Sequence, residues 1–151
     1  CDIIRAMGWP ECDSEAIISS LCGIASMVEF ATGTIIFSEG ELHDRLYFVS
    51  SGTVSLEMAT PSGGKQRILT IGAGDLLAWS GLLGDGRMTS TATALEATRV
   101  IDFHADQLRE LCDSNHEVGY VVMSRVAKAL SRRLLATRLQ LLDLYHVDEE
   151  S

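Results

Sequence analysis

The side chains able to do covalent or metal chemistry are few and scattered. Four cysteines (Cys1, Cys12, Cys22, Cys112) and four histidines (His43, His104, His116, His146) are spread over 151 residues. Zinc sites and dithiol redox centres need partners a few residues apart, and no CxxC pair and no cysteine with a close histidine exists. The cysteines therefore read as buried or free thiols in a reducing, cytoplasmic setting. None of the histidines falls in a nucleophile, acid–base or metal motif. His43, within Glu41-Leu42-His43-Asp44, reads as a solvated residue of a surface turn. The expectation is a protein that is not an enzyme, with no catalytic and no metal-binding residue.

Charge narrows the partners. Twelve Lys and Arg stand against 21 Asp and Glu, a formal net charge of −9. A nucleic-acid surface needs clustered cations, which this balance disfavours. Arg125, Lys128, Arg132, Arg133 and Arg138 do share one helical stretch. They read as cations beside an acidic partner surface and near a helix C-terminus. An apolar content of 46% excludes a disordered chain. No apolar run reaches the roughly 18 residues of a membrane span. Residues 1–10 lack the basic and apolar regions of a signal peptide, and Cys1 in place of Met suggests a trimmed front.

The elements follow from periodicity. Ile17, Ile18, Leu21, Cys22 and Ala25 recur at helical spacing, with Asp13 or Ser14 as the cap. After Met27 come short β-type runs at 28–30, 34–37, 46–50, 53–58, 67–71, 91–95 and 99–103. Glycine-bearing turns separate them: Ala31-Thr32-Gly33, Glu39-Gly40, Ser51-Gly52, Pro61-Ser62-Gly63-Gly64 and Gly72-Ala73-Gly74-Asp75. Strict alternation over 53–58 predicts a half-buried strand, and Ser51-Gly52 predicts a tight hairpin. Many short strands with frequent turns indicate a jelly roll or barrel. Residues 77–90 interrupt this rhythm with a short helix (79–83) and a Gly-rich loop, a kind of insertion that is usually functional or mobile.

From Ala105 the chain is helical again, first over 106–112 and then, after Asp113-Ser114-Asn115, without proline over 117–145. At about 1.5 Å per residue the second helix is about 40 Å long. Met123, Leu130, Thr137 and Leu144 recur at seven-residue intervals, and Ala127, Leu134 and Leu141 lie four residues after the first three. This is a two-stranded seam with Thr137 as its polar member. Val121, Leu135, Leu139 and Leu142 form a second stripe. Two apolar stripes call for two partners, the helix's own β domain and a second copy of the chain.

This order of elements resembles the cyclic nucleotide-binding domain of the catabolite activator protein/FNR regulators, over about residues 13–145. The residues that carry the resemblance are Gly33, Ile35-Ile36-Phe37-Ser38-Glu39-Gly40, Leu46-Tyr47-Phe48-Val49-Ser50-Ser51-Gly52, Gly72-Ala73-Gly74-Asp75, Ala94-Leu95-Glu96, Arg99-Val100-Ile101 and Ser131-Arg132-Arg133-Leu134-Leu135-Ala136-Thr137-Arg138. It implies a mainly β fold with helices: a double-stranded β-helix or jelly roll followed by a long C-terminal dimerisation helix. The expected divisions are a helical segment (1–27), a β-roll (28–104) holding a phosphate-binding-cassette-like segment (77–91), and C-terminal helices (105–151).

In that family the cassette offers backbone N–H groups and an arginine to a cyclic phosphate, and a glutamate to the ribose. Here the family's Phe-Gly-Glu reads Leu77-Ala78-Trp79, so an indole that donates but cannot accept replaces the carboxylate. Losing that charged acceptor costs roughly 1.5–3 kcal/mol. Arg87 stands near the place of the phosphate arginine, one position out of step. Thr89, Ser90 and Thr91 offer hydroxyls, and Thr137 matches the position where the family's helix reaches the base. The resemblance thus implies a ligand site of Trp79, Ser80, Gly81, Leu82, Arg87, Thr89, Ser90, Thr137 and Arg138. It also implies a homodimer seam of Met123, Leu130, Leu134, Thr137, Leu141 and Leu144.

The expected function is a homodimeric, non-enzymatic sensor whose degenerate cassette takes a small anionic or nucleotide-like ligand, with a cyclic nucleotide as the candidate. A structural dimerisation module with its pocket filled by Trp79 is the alternative. The family's FNR branch clusters its cysteines for metal, and Cys1, Cys12 and Cys22 are too spread for that. The family's regulators continue into a DNA-reading domain, whereas this chain stops in the acidic His146-Val147-Asp148-Glu149-Glu150-Ser151. No DNA or membrane partner is expected for the chain alone.

Overall fold

The computed structural model describes residues 14–150. Helix α1 (Glu15–Cys22) leads into β1 (Ala25–Phe30), β2 (Ile35–Phe37), β3 (Arg45–Ser51), β4 (Val54–Ala59), β5 (Lys65–Ile71) and β6 (Leu76–Leu77). The short helix α2 (Ser80–Leu83) precedes β7 (Thr91–Ala94), β8 (Thr98–His104), α3 (Ala105–Ser114) and the long α4 (His116–Glu150). Each turn anticipated from glycine holds one with positive φ: Gly33, Gly40, Gly52, Gly63 and Gly74. Glycine adopts that backbone without the Cβ clash that other residues meet.

The strands form two four-stranded antiparallel sheets, one in the order β1-β8-β3-β6 and the other β2-β7-β4-β5. This is the expected jelly roll. Tyr47, Val49 and Val100 of the first sheet meet Val54, Leu56, Ala92 and Ala94 of the second to form the interior of the roll. On the outer face of the first sheet, Leu46, Phe48, Ile101 and Phe103 pack with Leu21 of α1, Leu108 of α3 and Val118, Val122 and Val126 of α4. A strand covered on both faces has no reason to alternate, and Leu46-Tyr47-Phe48-Val49 is accordingly a continuous buried run.

Three local expectations are corrected. Ser51-Gly52 does not close a hairpin, because β3 and β4 belong to different sheets. The chain crosses between layers there, so closely that a Cβ on Gly52 would lie 2.6 Å from Thr98 Cα. The hairpin lies one turn later, where β4 pairs with β5 and Thr60 N–H donates to Gly64 O at 2.7 Å. Strand β4 is also not half-buried in alternation, since Val54, Ser55 and Leu56 are all buried. Cys22 is disulfide-bonded rather than a free thiol, a pairing that sequence spacing could not reveal. Cys112 is free. Cys1, Cys12 and Asp13 lie outside the described residues, and Ser14 is the N-cap of α1 without a side-chain cap bond.

Between α3 and α4 the chain breaks at Asn115, whose Oδ1 accepts from the N–H groups of Glu117 (3.1 Å) and Val118 (3.3 Å). Such capping satisfies donors that the new helix cannot pair internally. The covered face of α4 is Val118, Val121, Val122, Val126 and Ala129, not the second stripe read from the sequence. Of that stripe only Val121 is buried, while Leu135, Leu139 and Leu142 are exposed. Along the expected seam, Met123, Leu134 and Leu141 are exposed. Leu130 packs against the helical core and Thr137 is half-buried. The side chain of Leu144 lies outside the described residues. Among the described residues no helix is long and apolar enough to cross a membrane.

Candidate functional site

The interruption between β6 and β7 is built by backbone geometry. Ala78 takes φ +63, reversing the chain after Leu77, and one turn of helix follows. Ser80 O accepts from Gly84 N–H (2.9 Å) and Gly86 N–H (3.0 Å), closing the loop. Its far side is zipped to residues 40–43: Gly40 N–H donates to Met88 O (2.8 Å), Met88 N–H to Glu41 O (2.9 Å) and His43 N–H to Gly86 O (2.8 Å). From α3, Arg109 Nη2 donates to Gly81 O (2.7 Å) and Leu82 O (3.2 Å), holding the carbonyl end of the one-turn helix. The segment is thereby fixed on two sides.

Its third side faces a cavity of about 200 Å³. The second sheet supplies Phe37, Leu56, Met58 and Leu69; the cassette supplies Ala78, Trp79, Ser80, Met88, Thr89 and Ser90; α4 supplies Arg133 and Thr137. Five of the anticipated ligand residues therefore come together: Trp79, Ser80, Thr89, Ser90 and Thr137. Trp79 stands in the wall, half-buried and packed against the helical core.

Gly81, Leu82, Arg87 and Arg138 are not among the lining residues. Gly81 backs onto the opposite side, where a Cβ would come 3.1 Å from His43 O. Leu82 is buried in the helical core. Arg87 is exposed, its Nη1 donating to Gly40 O at 2.8 Å, and its backbone bridges to Leu42. That bridge explains the placement: it pins the backbone on the residue 40–43 side and aims the guanidinium outward. Arg138 is exposed on α4.

The cation that does line the cavity is Arg133, which the sequence places among the helix cations expected beside an acidic partner surface. Its Nη2 donates to Leu76 O, and its Nε is buried without a partner. Burial lowers the guanidinium's pKa, while Asp75 nearby raises it. Its neighbour Arg132 donates through Nη2 to Gly74 O at 2.9 Å. The two arginines thus strap α4 to the turn between β5 and β6 rather than facing an acidic partner. A signal was available: Arg133 lies four residues before Thr137, on one helix face, and Thr137 Oγ1 donates to Arg133 O at 2.9 Å.

A second polar group, also unanticipated, lies in the first sheet, in the cross-strand row of Leu77, Tyr47 and Asp102. Asp102 on β8 is 9% exposed and pairs with Arg45 Nη1 at 3.3 Å, leaving Oδ1 without a partner. Burial raises its pKa, against the lowering effect of Arg45. His43 is not solvated as anticipated: its Nδ1 accepts from Arg45 N–H (3.3 Å) and its Nε2 lies 3.4 Å from Tyr47 Oη. Burial, followed by the Asp102 charge, pushes the Tyr47 phenol up to about 12.

Comparison with known proteins reaches the same region. A family model described as the cyclic nucleotide-binding domain matches residues 27–115. The chain is 30% identical over 131 residues, 87% of its length, to a CRP-like cAMP-activated global transcriptional regulator of Mycobacterium tuberculosis. It is 32% identical over 121 residues, 80% of its length, to the cyclic AMP receptor protein of Thermus thermophilus. It spans 57% and 53% of those two relatives. In fold it is similar to a cyclic nucleotide-binding domain from Methylobacillus flagellatus, with TM-score 0.78 and 22% identity over 86% of this chain and 73% of that one.

Proposed function

The chain belongs to the cyclic nucleotide-binding domain family, and from that premise we propose that it is a non-enzymatic, homodimeric sensor module. A small anionic or nucleotide-like ligand would settle between the cassette and α4. One observation carries this reading: the long helix itself forms a wall of the cavity, through Arg133 and Thr137. An anion entering the cavity would gain a charge-assisted bond and change what holds the helix to the roll. Such a device switches only if the ligand prefers one helix position over another.

Among the described residues that line the cavity, Arg133 is the one ionisable side chain. The open space of about 200 Å³ weighs against the structural alternative in which Trp79 fills the pocket. A cytoplasmic setting goes with this reading, and the Cys22 disulfide is a contrary observation.

For the second copy, Met123, Leu134 and Leu141 give exposed apolar area on α4, with Leu130 and Thr137 at its margin. Isothermal titration with cyclic AMP, cyclic GMP and cyclic di-GMP tests the ligand; binding heat is expected for at least one. Neither heat nor thermal shift with any of them, or with other small anions, would remove the ligand from the reading. Sedimentation of a Leu134→Asp/Leu141→Asp variant tests the seam; monomers are expected, and a surviving dimer would show that the copies meet elsewhere.

A further inference from the structure

We infer that the cavity's preferred occupant is a small organic carboxylate with an apolar body, aromatic or branched aliphatic, rather than a ribose-bearing nucleotide. This rests on reading the cavity as a ligand site, and it specifies the chemical class. The lining is divided by element. Everything contributed by the second sheet is apolar, including Phe37, Leu56, Met58 and Leu69, whereas the polar side chains come from the cassette and α4. A site with one greasy wall and one polar wall suits a ligand divided in the same way.

Charge sets the polar end. Arg133 is the one ionisable residue among the described residues of the lining; its Nη2 is committed to Leu76 O and its Nε is buried. A single guanidinium in the lining matches a ligand that carries one negative charge, such as a carboxylate. The other arginine of the segment, Arg87, is occupied by Gly40 O on the outside and adds no charge within. A cyclic phosphodiester joined to a ribose and a base would bring many more polar atoms than one guanidinium and a few hydroxyls can pair. The base's polar edge would then lose water against Leu56, Met58 or Leu69 without compensation. Among the described residues no carboxylate lines the cavity to accept from a sugar hydroxyl. Size points the same way, for about 200 Å³ lies below the roughly 300–1,000 Å³ of clefts that hold drug-sized ligands.

Trp79 is the natural reporter, because it lines the cavity and the chain has only two tryptophans. In a Trp9→Phe background its fluorescence would be titrated with 3-phenylpropanoate, indole-3-acetate and 4-methylpentanoate, with the neutral 3-phenylpropanamide, and with cyclic AMP. The expectation is saturable quenching by at least one carboxylate, at least tenfold tighter than by cyclic AMP. For 3-phenylpropanoate the amide should also be at least tenfold weaker, and Arg133→Gln should abolish that difference. The acid-against-amide comparison uses the native Arg133, so it stands even if Arg133→Gln misfolds. Cyclic AMP binding more tightly than every carboxylate would overturn this inference and leave the sensor reading intact. Acid and amide binding alike would overturn it too, and silence from every probe would overturn both.

Discussion

The two sheets are built from similar strands and do different work. The β1-β8-β3-β6 sheet is covered on both faces, by the roll interior on one side and by α1, α3 and α4 on the other. The β2-β7-β4-β5 sheet is covered by the roll interior on its inner face, and β5 begins with exposed Lys65, Gln66 and Arg67. Beneath that thinner sheet the packing opens into the cavity. Helix α4 touches both regions: Val118 to Ala129 lie against the first sheet's core, and Arg133 and Thr137 line the cavity. Stability is thus concentrated in one layer, and room for a ligand is left beside the other. The helix is anchored by residues 118–129 and lines the cavity with Arg133 and Thr137.

The sharpest way to break this contrast is to truncate one apolar side chain in each layer. Phe48 is 2% exposed, with its ring edge-to-face on Phe103 at a centroid distance of 6.0 Å. Phe48→Ala should lose about 3–5 kcal/mol in urea denaturation, as expected for a fully buried aromatic ring. Leu69→Ala, on the cavity side where the side chain is half-buried, should lose under about 2 kcal/mol. Equal losses would mean that the layers are equally committed to stability.

The crossing between the layers comes next in size. Gly52 has φ +99, and an added Cβ would lie 2.5 Å from Thr98 Oγ1 as well as against its Cα. Gly52→Ala should cost about 2–3 kcal/mol, combining backbone strain with that collision. Gly33, with φ +86 and open space around it, is the control. Gly33→Ala should cost only the left-handed backbone penalty of about 1 kcal/mol. Equal midpoints for the two variants would show that the crossing can relax.

The roll was legible in the sequence because its corners are chemical. A glycine at positive φ leaves a mark that needs no knowledge of the partner strand, and Gly33, Gly40, Gly52, Gly63 and Gly74 all left it. The pairing at Ser51-Gly52 was not legible, since periodicity does not say in which sheet the next strand will lie. Strand β6 has two residues, too short for any period. Trp79, Ser80, Thr89, Ser90 and Thr137 were legible as a group because the interruption in the strand rhythm marks the cassette. Arg87 and Arg133 changed places for one reason: a long cation can turn to either side of its backbone, and only the tertiary partner decides. Gly40 O takes one outward and Leu76 O takes the other inward. Asp102 was missed because a carboxylate in a β run looks like its solvent face, whereas the first sheet has no solvent face there.

Strain at the cassette's entrance gives a smaller effect of opposite sign. Ala78 holds φ +63, a left-handed backbone in which its Cβ is crowded. The sequence pattern resembled here has glycine at this place, which adopts the conformation freely. Ala78→Gly should therefore stabilise the chain by about 0.5–1 kcal/mol, net of glycine's greater freedom in the unfolded state. Thermal melting read alongside urea denaturation would check it. A loss of stability would mean that the buried Ala78 methyl contributes more by packing than it costs in backbone strain.

The smallest change at neutral pH belongs to Tyr47, and it is informative because it depends on pH. Its hydroxyl makes one long contact, 3.4 Å to His43 Nε2, so Tyr47→Phe should alter stability at pH 7 by only about 0.5 kcal/mol. Alkali separates the two chains. Burial and the Asp102 charge raise the phenol from its usual 10.0 to about 12 in the folded protein, while the unfolded chain keeps the usual value. Between those pH values the unfolded chain releases a proton that the folded one retains, so stability falls as pH rises. Below pH 10 the phenol adds no slope, and above 12 both states are ionised. Urea midpoints taken through this range should decline more steeply for the native chain than for Tyr47→Phe. Parallel declines would place Tyr47 in water rather than in the doubly covered sheet, and the contrast between the layers would fail at its polar centre.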